Sequence, residues 1–190
     1  MGVKKVRRLE LTNGGYVLVD TIDVVRFNLR SYQWHWTDSG KGKLYVRTYT
    51  GTKGVGVYLH RLLMSPPKGL EVDHANTDTF DNRRSNLRLC TRSQNIGNQR
   101  KTRGVSRFKG VSLMKKRGVW VAKIANRHLG VFRNEEDAAR CYDDAALQLW
   151  GEYSRLNFPI DARVTELLAR SPAITDEQAM MTARLLATAA

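Results

Sequence analysis

The sequence predicts an α+β protein made of small antiparallel sheets with few helices. Three observations predict it. Apolar and polar residues alternate through residues 9–60 between Gly-rich turns. A strand–loop–strand–helix pattern fills 70–98, and three more short strands followed by one amphipathic helix fill 105–151. With 190 residues the chain holds one large or two small domains. The patterns divide it into residues 1–99, a basic connector at 100–104, a module at 105–159 and a helical tail at 160–190.

In chain order, LTNGGYVLVD and KLYVRTYTGTKGVGVYLHRL read as strands, and Asn13-Gly14 is a hairpin signal. Tyr32, Trp34, Trp36 and Tyr45 fit the core of a small sheet, with a base-stacking surface as the alternative. His60-Arg61 opens an apolar stretch ending at Pro66-Pro67; Arg61 is a candidate phosphate contact, or packs its stem on the sheet. Leu70-Glu71-Val72 leads into Asp73-His74, Asn76–Arg84 is a polar loop, and Leu87–Cys90 is a second strand that Asn86 is expected to join. Thr91 is a good N-cap and Gln94 completes a capping box, so Asn95 falls just inside the first helical turn.

The connector NQRKTRG is expected to lie extended along phosphates, the alternative being a solvated linker. Three strands follow, separated near Lys116-Arg117-Gly118 and Asn126-Arg127. Asn134 caps the next helix, Glu135 and Glu136 suit its N-terminal dipole, and Gly151 ends it. Its apolar face is Ala138, Ala139, Tyr142, Ala145, Ala146 and Leu149, against which Trp120, Ala122 and Ile124 are expected to pack. A last helix is expected to start near Thr175–Gln178, in a packing or disordered tail rather than a site.

The net charge is +14, from 32 basic and 18 acidic residues, and it bears on partners rather than fold. Between Asp73 and Arg127 there are 14 Lys or Arg against three acidic residues, a local balance of +11. A polyanion is the natural partner. No apolar run is long enough to span a bilayer, and the N-terminus lacks the apolar core of a signal peptide, so a cytoplasmic rather than secreted protein is expected. Cys90 and Cys141 form no CxxC, so no structural zinc is expected.

The segment VDHANTDTFDNRRSNLRLCTRSQNIGN, residues 72–98, holds the residues that point to chemistry. Hydrolysis of a phosphodiester needs an attacking water, a base and a cation on the phosphate. His74 is the base candidate, and Asp73 and Asn95 offer oxygens to a hard divalent cation, Mg²⁺ or Mn²⁺. The segment resembles the HNH nuclease motif in its H-N-N form, as found in phage and intron-encoded homing endonucleases. The resemblance implies a ββα-metal unit, His74 and Asn86 as catalytic residues with Asn86 orienting the imidazole, and Asp73 and Asn95 as metal ligands. It also implies duplex DNA as substrate and a phage-infected or bacterial cell as setting. One such site in a monomer, with no obligate protein partner evident, favours nicking of one strand.

FKGVS, GVWVAKI, LGVF, EEDAARCYDDAA and LNFP, between Phe108 and Pro159, resemble the plant ethylene-response-factor (Apetala-type) DNA-binding domain. In that family a three-stranded sheet, backed by a helix, lies in the major groove. The resemblance places Lys109, Ser112, Lys115, Arg117, Lys123 and His128 on DNA, with Arg127 adjacent; Lys116, Arg100 and Lys101, and Arg83 and Arg84 in the earlier loop, are further candidates. Several of these differ from the plant pattern, so its sequence preference does not carry over. The expected function is a metal-dependent, site-specific DNA endonuclease. The alternative is a DNA-binding regulator with an inactive nuclease unit; an RNA-binding protein ranks lower, for want of an aromatic RNA-binding sheet motif.

Overall fold

The chain folds as the α+β protein its patterns predict, with four small antiparallel sheets among the described residues. The computed structural model describes residues 6–40, 42–50, 55–101 and 103–158, so the expected final helix lies outside the described residues. The chain divides into two compact units, Met1–Ile96 and Gly97–Ala190.

In the first unit, β1 (Val6–Glu10) and β2 (Tyr16–Asp20) pair around the turn that Asn13-Gly14 predicts, with Gly14 at φ 95. The Asn13 amide stands in for a ladder rung. Its Nδ2 donates to Trp36 O at 2.9 Å and its Oδ1 accepts from Trp36 N at 3.0 Å, tying the hairpin to β3 (His35–Asp38). β3, β4 (Leu44–Thr50) and β5 (Val55–Tyr58) form a three-stranded sheet.

Two short helices interrupt the expected run of strands: α1 (Thr21–Arg26) and α2 (Leu59–Met64). Six residues are under two turns, too short for a helical period to show, and such helices are held by tertiary packing. Leu59 and Leu63 supply it for α2, in one core with Leu9, Val17, Val19, Leu29, Trp34, Val46, Val72 and Leu87. The aromatic cluster splits: Trp34 is buried, with Nε1 donating to Leu29 O at 2.8 Å, while Tyr32 stays exposed.

β6 (Glu71–His74) and β7 (Leu87–Cys90) pair antiparallel, with Asp73 opposite Arg88 and His74 opposite Leu87. Val72 and Leu87 anchor this hairpin in the core. α3 (Arg92–Asn98) follows, opened by the predicted capping box: Thr91 N donates to Gln94 Oε1 at 2.8 Å, and Gln94 N donates to Thr91 Oγ1 at 3.3 Å.

In the second unit, β8 (Val111–Met114), β9 (Val119–Ile124) and β10 (Arg127–Phe132) form a sheet of order β10-β9-β8. The second turn is Ala125-Asn126, with Ala125 at φ 49, and Arg127 already belongs to the strand. α4 (Glu135–Trp150) is capped by Asn134, whose side chain accepts from Glu136 N at 2.7 Å. The alanines and Tyr142 are buried as predicted, and Trp120 packs on the core of Phe108, Val111, Ala122, Ala138 and Ala139. Leu149 is exposed, however, and Asp143 and Trp150 are buried instead. Asp143 is satisfied from outside the helix: it accepts from Asn157 N at 2.9 Å and Phe158 N at 3.0 Å, fastening the segment after α4 back onto the unit. Gly110, at φ +76, lies so close under the Tyr142 ring that no Cβ fits there.

Candidate functional site

The 75–86 loop is built before the site is. Leu18 N donates to Phe80 O and Asn82 N to Leu18 O, both at 2.8 Å, so the loop is bridged to β2 at Asp81. Asp81 is buried and grips Arg83 through two bonds, from Nε at 2.7 Å and Nη2 at 2.6 Å. These bonds hold the Asp81 carboxyl below its ordinary range. Arg84 reaches the buried Asp23 of α1 at 2.9 Å and donates to Leu63 O at 2.9 Å. Both arginines, expected on phosphate, are committed to the fold. Their partners are buried carboxylates, which are costly to leave uncompensated.

His74 ends β6, buried, beside a second histidine. The His60 and His74 rings meet edge to face at 5.3 Å, and Tyr45 flanks both, at 5.4 Å from His60 and 6.4 Å from His74. His74 Nε2 lies 3.4 Å from Asn82 Oδ1. The Asn82 amide is oriented by Nδ2 donating to Thr79 O at 2.9 Å, so an acceptor faces the ring. That arrangement puts the proton on Nε2 and the lone pair on Nδ1. Burial lowers the His74 pKa below the imidazole norm, against the opposing pull of Asn82 and nearby carboxylates. His60 is pushed lower still, to about 3, by burial and by His74 and Arg61. Both rings are neutral near pH 7.

Asn86 precedes β7 rather than lying on it, and its contacts differ from those expected. Its Oδ1 accepts from Asn76 N at 2.9 Å and its Nδ2 donates to Asp81 O at 2.7 Å. It ties the start and the middle of the loop to its end, and Asn82 makes the ring contact. The sequence offered three asparagines here, and nothing local marks which one a loop turns inward.

Strand alternation puts Glu71, Asp73, Arg88 and Cys90 on one side of the β6–β7 hairpin. Asp73 Oδ2 is paired with Arg88 at 2.9 Å, and Asn95 Nδ2 donates to Glu71 Oε2 at 2.6 Å. The two expected ligands are thus on adjoining elements of one unit, and Glu71, which the motif reading passed over, holds the Asn95 amide. Its i, i+2 spacing from Asp73 on a strand was the signal available. Burial and then Asp73 and Glu71 push the Cys90 thiol up to about 11, and the same causes raise Tyr45. Among the described residues no group of three His, Cys, Asp or Glu side chains converges to hold a metal. A carboxylate and an amide oxygen suit a hard cation that keeps most of its waters better than they suit zinc.

In the second unit the expected DNA contacts separate into two sets. Ser112, Lys115, Lys116, Arg117, Lys123, Arg127 and His128 are exposed on the sheet or its turns. Lys101 and Lys109 turn inward. Lys101 Nζ donates to Phe108 O at 2.7 Å and Val111 O at 2.8 Å, while Lys109 Nζ donates to Gly97 O and lies over the Tyr142 and Trp150 rings. Both ammoniums are held by backbone carbonyls of the second unit. Arg100 and, in the first unit, Arg61 are exposed.

The family model for HNH endonuclease matches residues 65–96, the stretch from the end of α2 into α3. An AP2/ERF and B3 domain-containing protein of Oryza sativa subsp. japonica is 48% identical over 58 residues, which cover 28% of this chain and 16% of that protein. No solved structure matches the chain. No helix among the described residues is long and apolar enough to cross a membrane. The chain thus carries an HNH endonuclease-type segment, and it is similar in part to an AP2/ERF and B3 domain-containing protein.

Proposed function

We propose that this protein is a site-specific, metal-dependent DNA endonuclease of the homing type. In this reading residues 1–99 nick one strand, 100–104 connect, and 105–159 locate the target. The observation that carries it is the buried, neutral His74, whose Asn82 contact puts a lone pair on Nδ1, on the strand that also carries Asp73 and in the same unit as Asn95. His74 Nδ1 takes the proton of an attacking water, and burial keeps the ring unprotonated and able to do so. Asn86 acts one step removed, by fixing the loop that presents Asn82. Asp73 and Asn95 would hold Mg²⁺ or Mn²⁺, which supplies positive charge at the phosphate and the leaving oxygen. Arg88 holds the Asp73 carboxylate in place, and Glu71 holds the Asn95 amide.

The testing experiment is a metal titration of nicking on supercoiled plasmid. Asp73→Ala and Asn95→Ala are each expected to raise the Mg²⁺ or Mn²⁺ needed for half-maximal rate. An unchanged titration in both removes these residues from the metal.

Binding is expected to be steeply salt-dependent. Lys115, Lys116, Arg117, Lys123 and Arg127 are exposed, and each neutralised phosphate contributes about 0.9 to the slope of log K against log salt. The pair Lys123→Gln and Arg127→Gln should lower the slope by about 2. A slope equal to wild type takes this face off the DNA.

A further inference from the structure

We infer that the outer face of the β8–β9–β10 sheet reads thymine methyl groups in the major groove of duplex DNA. The inference rests on the proposed DNA-binding role of the second unit. The register assigns every side chain. Leu113, Trp120 and Phe132 form one row, and Val111, Ala122 and Gly130 the next, on the side that packs on α4. The opposite side carries Met114 with Val119, then Ser112, Val121 and Val131, then Lys123 with His128. Its middle is apolar. On this side Val131 is 51% and Met114 39% exposed, while Val121 of the central strand is buried, at 4%.

The charge around this face says what covers it. From Gly97 to Asn134 the sequence holds 11 Lys or Arg and no Asp or Glu. Exposed Lys115, Lys116 and Arg117 stand at one end of β9, and exposed Lys123 and His128 at the other, while Arg127 pairs with Ile124 on the α4 side. Six residues of strand put these ends about 20 Å apart, enough to straddle a groove about 12 Å wide. The occupant is therefore a polyanion with apolar groups displayed between two rows of negative charge. The major groove has that form: phosphates flank a floor on which each A·T pair presents one C5-methyl. Valine and methionine have no donor for purine N7 or O6, so the middle of the face can discriminate only by methyl contact. Ser112, Lys123 and His128 have donors for the purine edges beside it. An acidic protein surface is the rival occupant.

The test uses the full-length protein in EDTA, where metal-dependent cutting is blocked. Duplexes are selected from a randomised 20-base-pair library, then resynthesised with deoxyuridine for thymidine, which removes only the methyl. The expected result is a loss of about threefold to fourfold in affinity per methyl contacted, shrinking to nearly nothing in Val131→Ser. Lys123→Glu should weaken both versions. Equal affinity for the two versions, with Lys123→Glu still weakening both, overturns methyl reading and leaves the DNA-binding face standing. An unchanged affinity in Lys123→Glu, or a folded protein that selects no duplex, overturns the face and the methyl reading together, the second outcome favouring the acidic protein.

Discussion

His74→Ala is expected to slow DNA cleavage by about 10²–10⁴-fold, the usual contribution of a general base, with affinity for the same DNA nearly unchanged. The ring is buried, its Nε2 is taken by Asn82, and its lone pair is on Nδ1, so the substitution removes the proton acceptor without removing a charge from the DNA-facing surface. His60 does not replace it. That ring lies edge-on to His74 and is pushed to about 3 by burial, leaving a far weaker base. Single-turnover cleavage with saturating protein separates the chemical step from binding. A rate within a few-fold of wild type would remove His74 from the chemistry.

Arg84→Ala is expected to destabilise the first unit by about 3 kcal/mol, toward the lower end for a broken buried pair, because the Arg84 side chain is 35% exposed while that of Asp23 is 1% exposed. The loss reflects Asp23 stranded in the core and Leu63 O without its donor. The double variant Arg84→Met, Asp23→Leu should recover much of it, since removing both charges also removes the desolvation cost. Urea unfolding reads this as a lower midpoint with an unchanged slope. An unchanged midpoint together with weaker DNA binding would restore Arg84 to the phosphate role that its sequence context suggests.

Much of the fold was legible because its signals are local. The Thr91/Gln94 capping box, the Asn13-Gly14 turn, the alternation through β6 and β7 and the Asn134 cap each declare themselves within a few residues. The short α1 and α2 were not legible, since neither completes two turns. Within the candidate site the motif positions of Asp73, His74 and Asn95 could be read, but the partners of its polar groups could not. Arg84 finds Asp23 across 61 residues, and Lys109 turns toward Gly97 rather than outward. Composition counts both as cations available to DNA; only tertiary packing shows that they are spent on the fold. Asn82 and Asn86 are equivalent by type and differ only in which way the closed loop turns them. Asp143 is buried because Asn157 and Phe158 donate to its carboxylate, a contact that helical periodicity does not show.

The Asp73–Asn95 segment is proposed to hydrolyse DNA. The most direct measurement follows binding and cutting in one preparation: full-length protein on supercoiled plasmid carrying its target locus, with Mg²⁺ and with EDTA, scored for open-circle and linear product. Tight binding is expected in both conditions, and open-circle product only with Mg²⁺. Tight binding with the plasmid left supercoiled in Mg²⁺ and in Mn²⁺ would contradict it and make the protein a DNA-binding regulator.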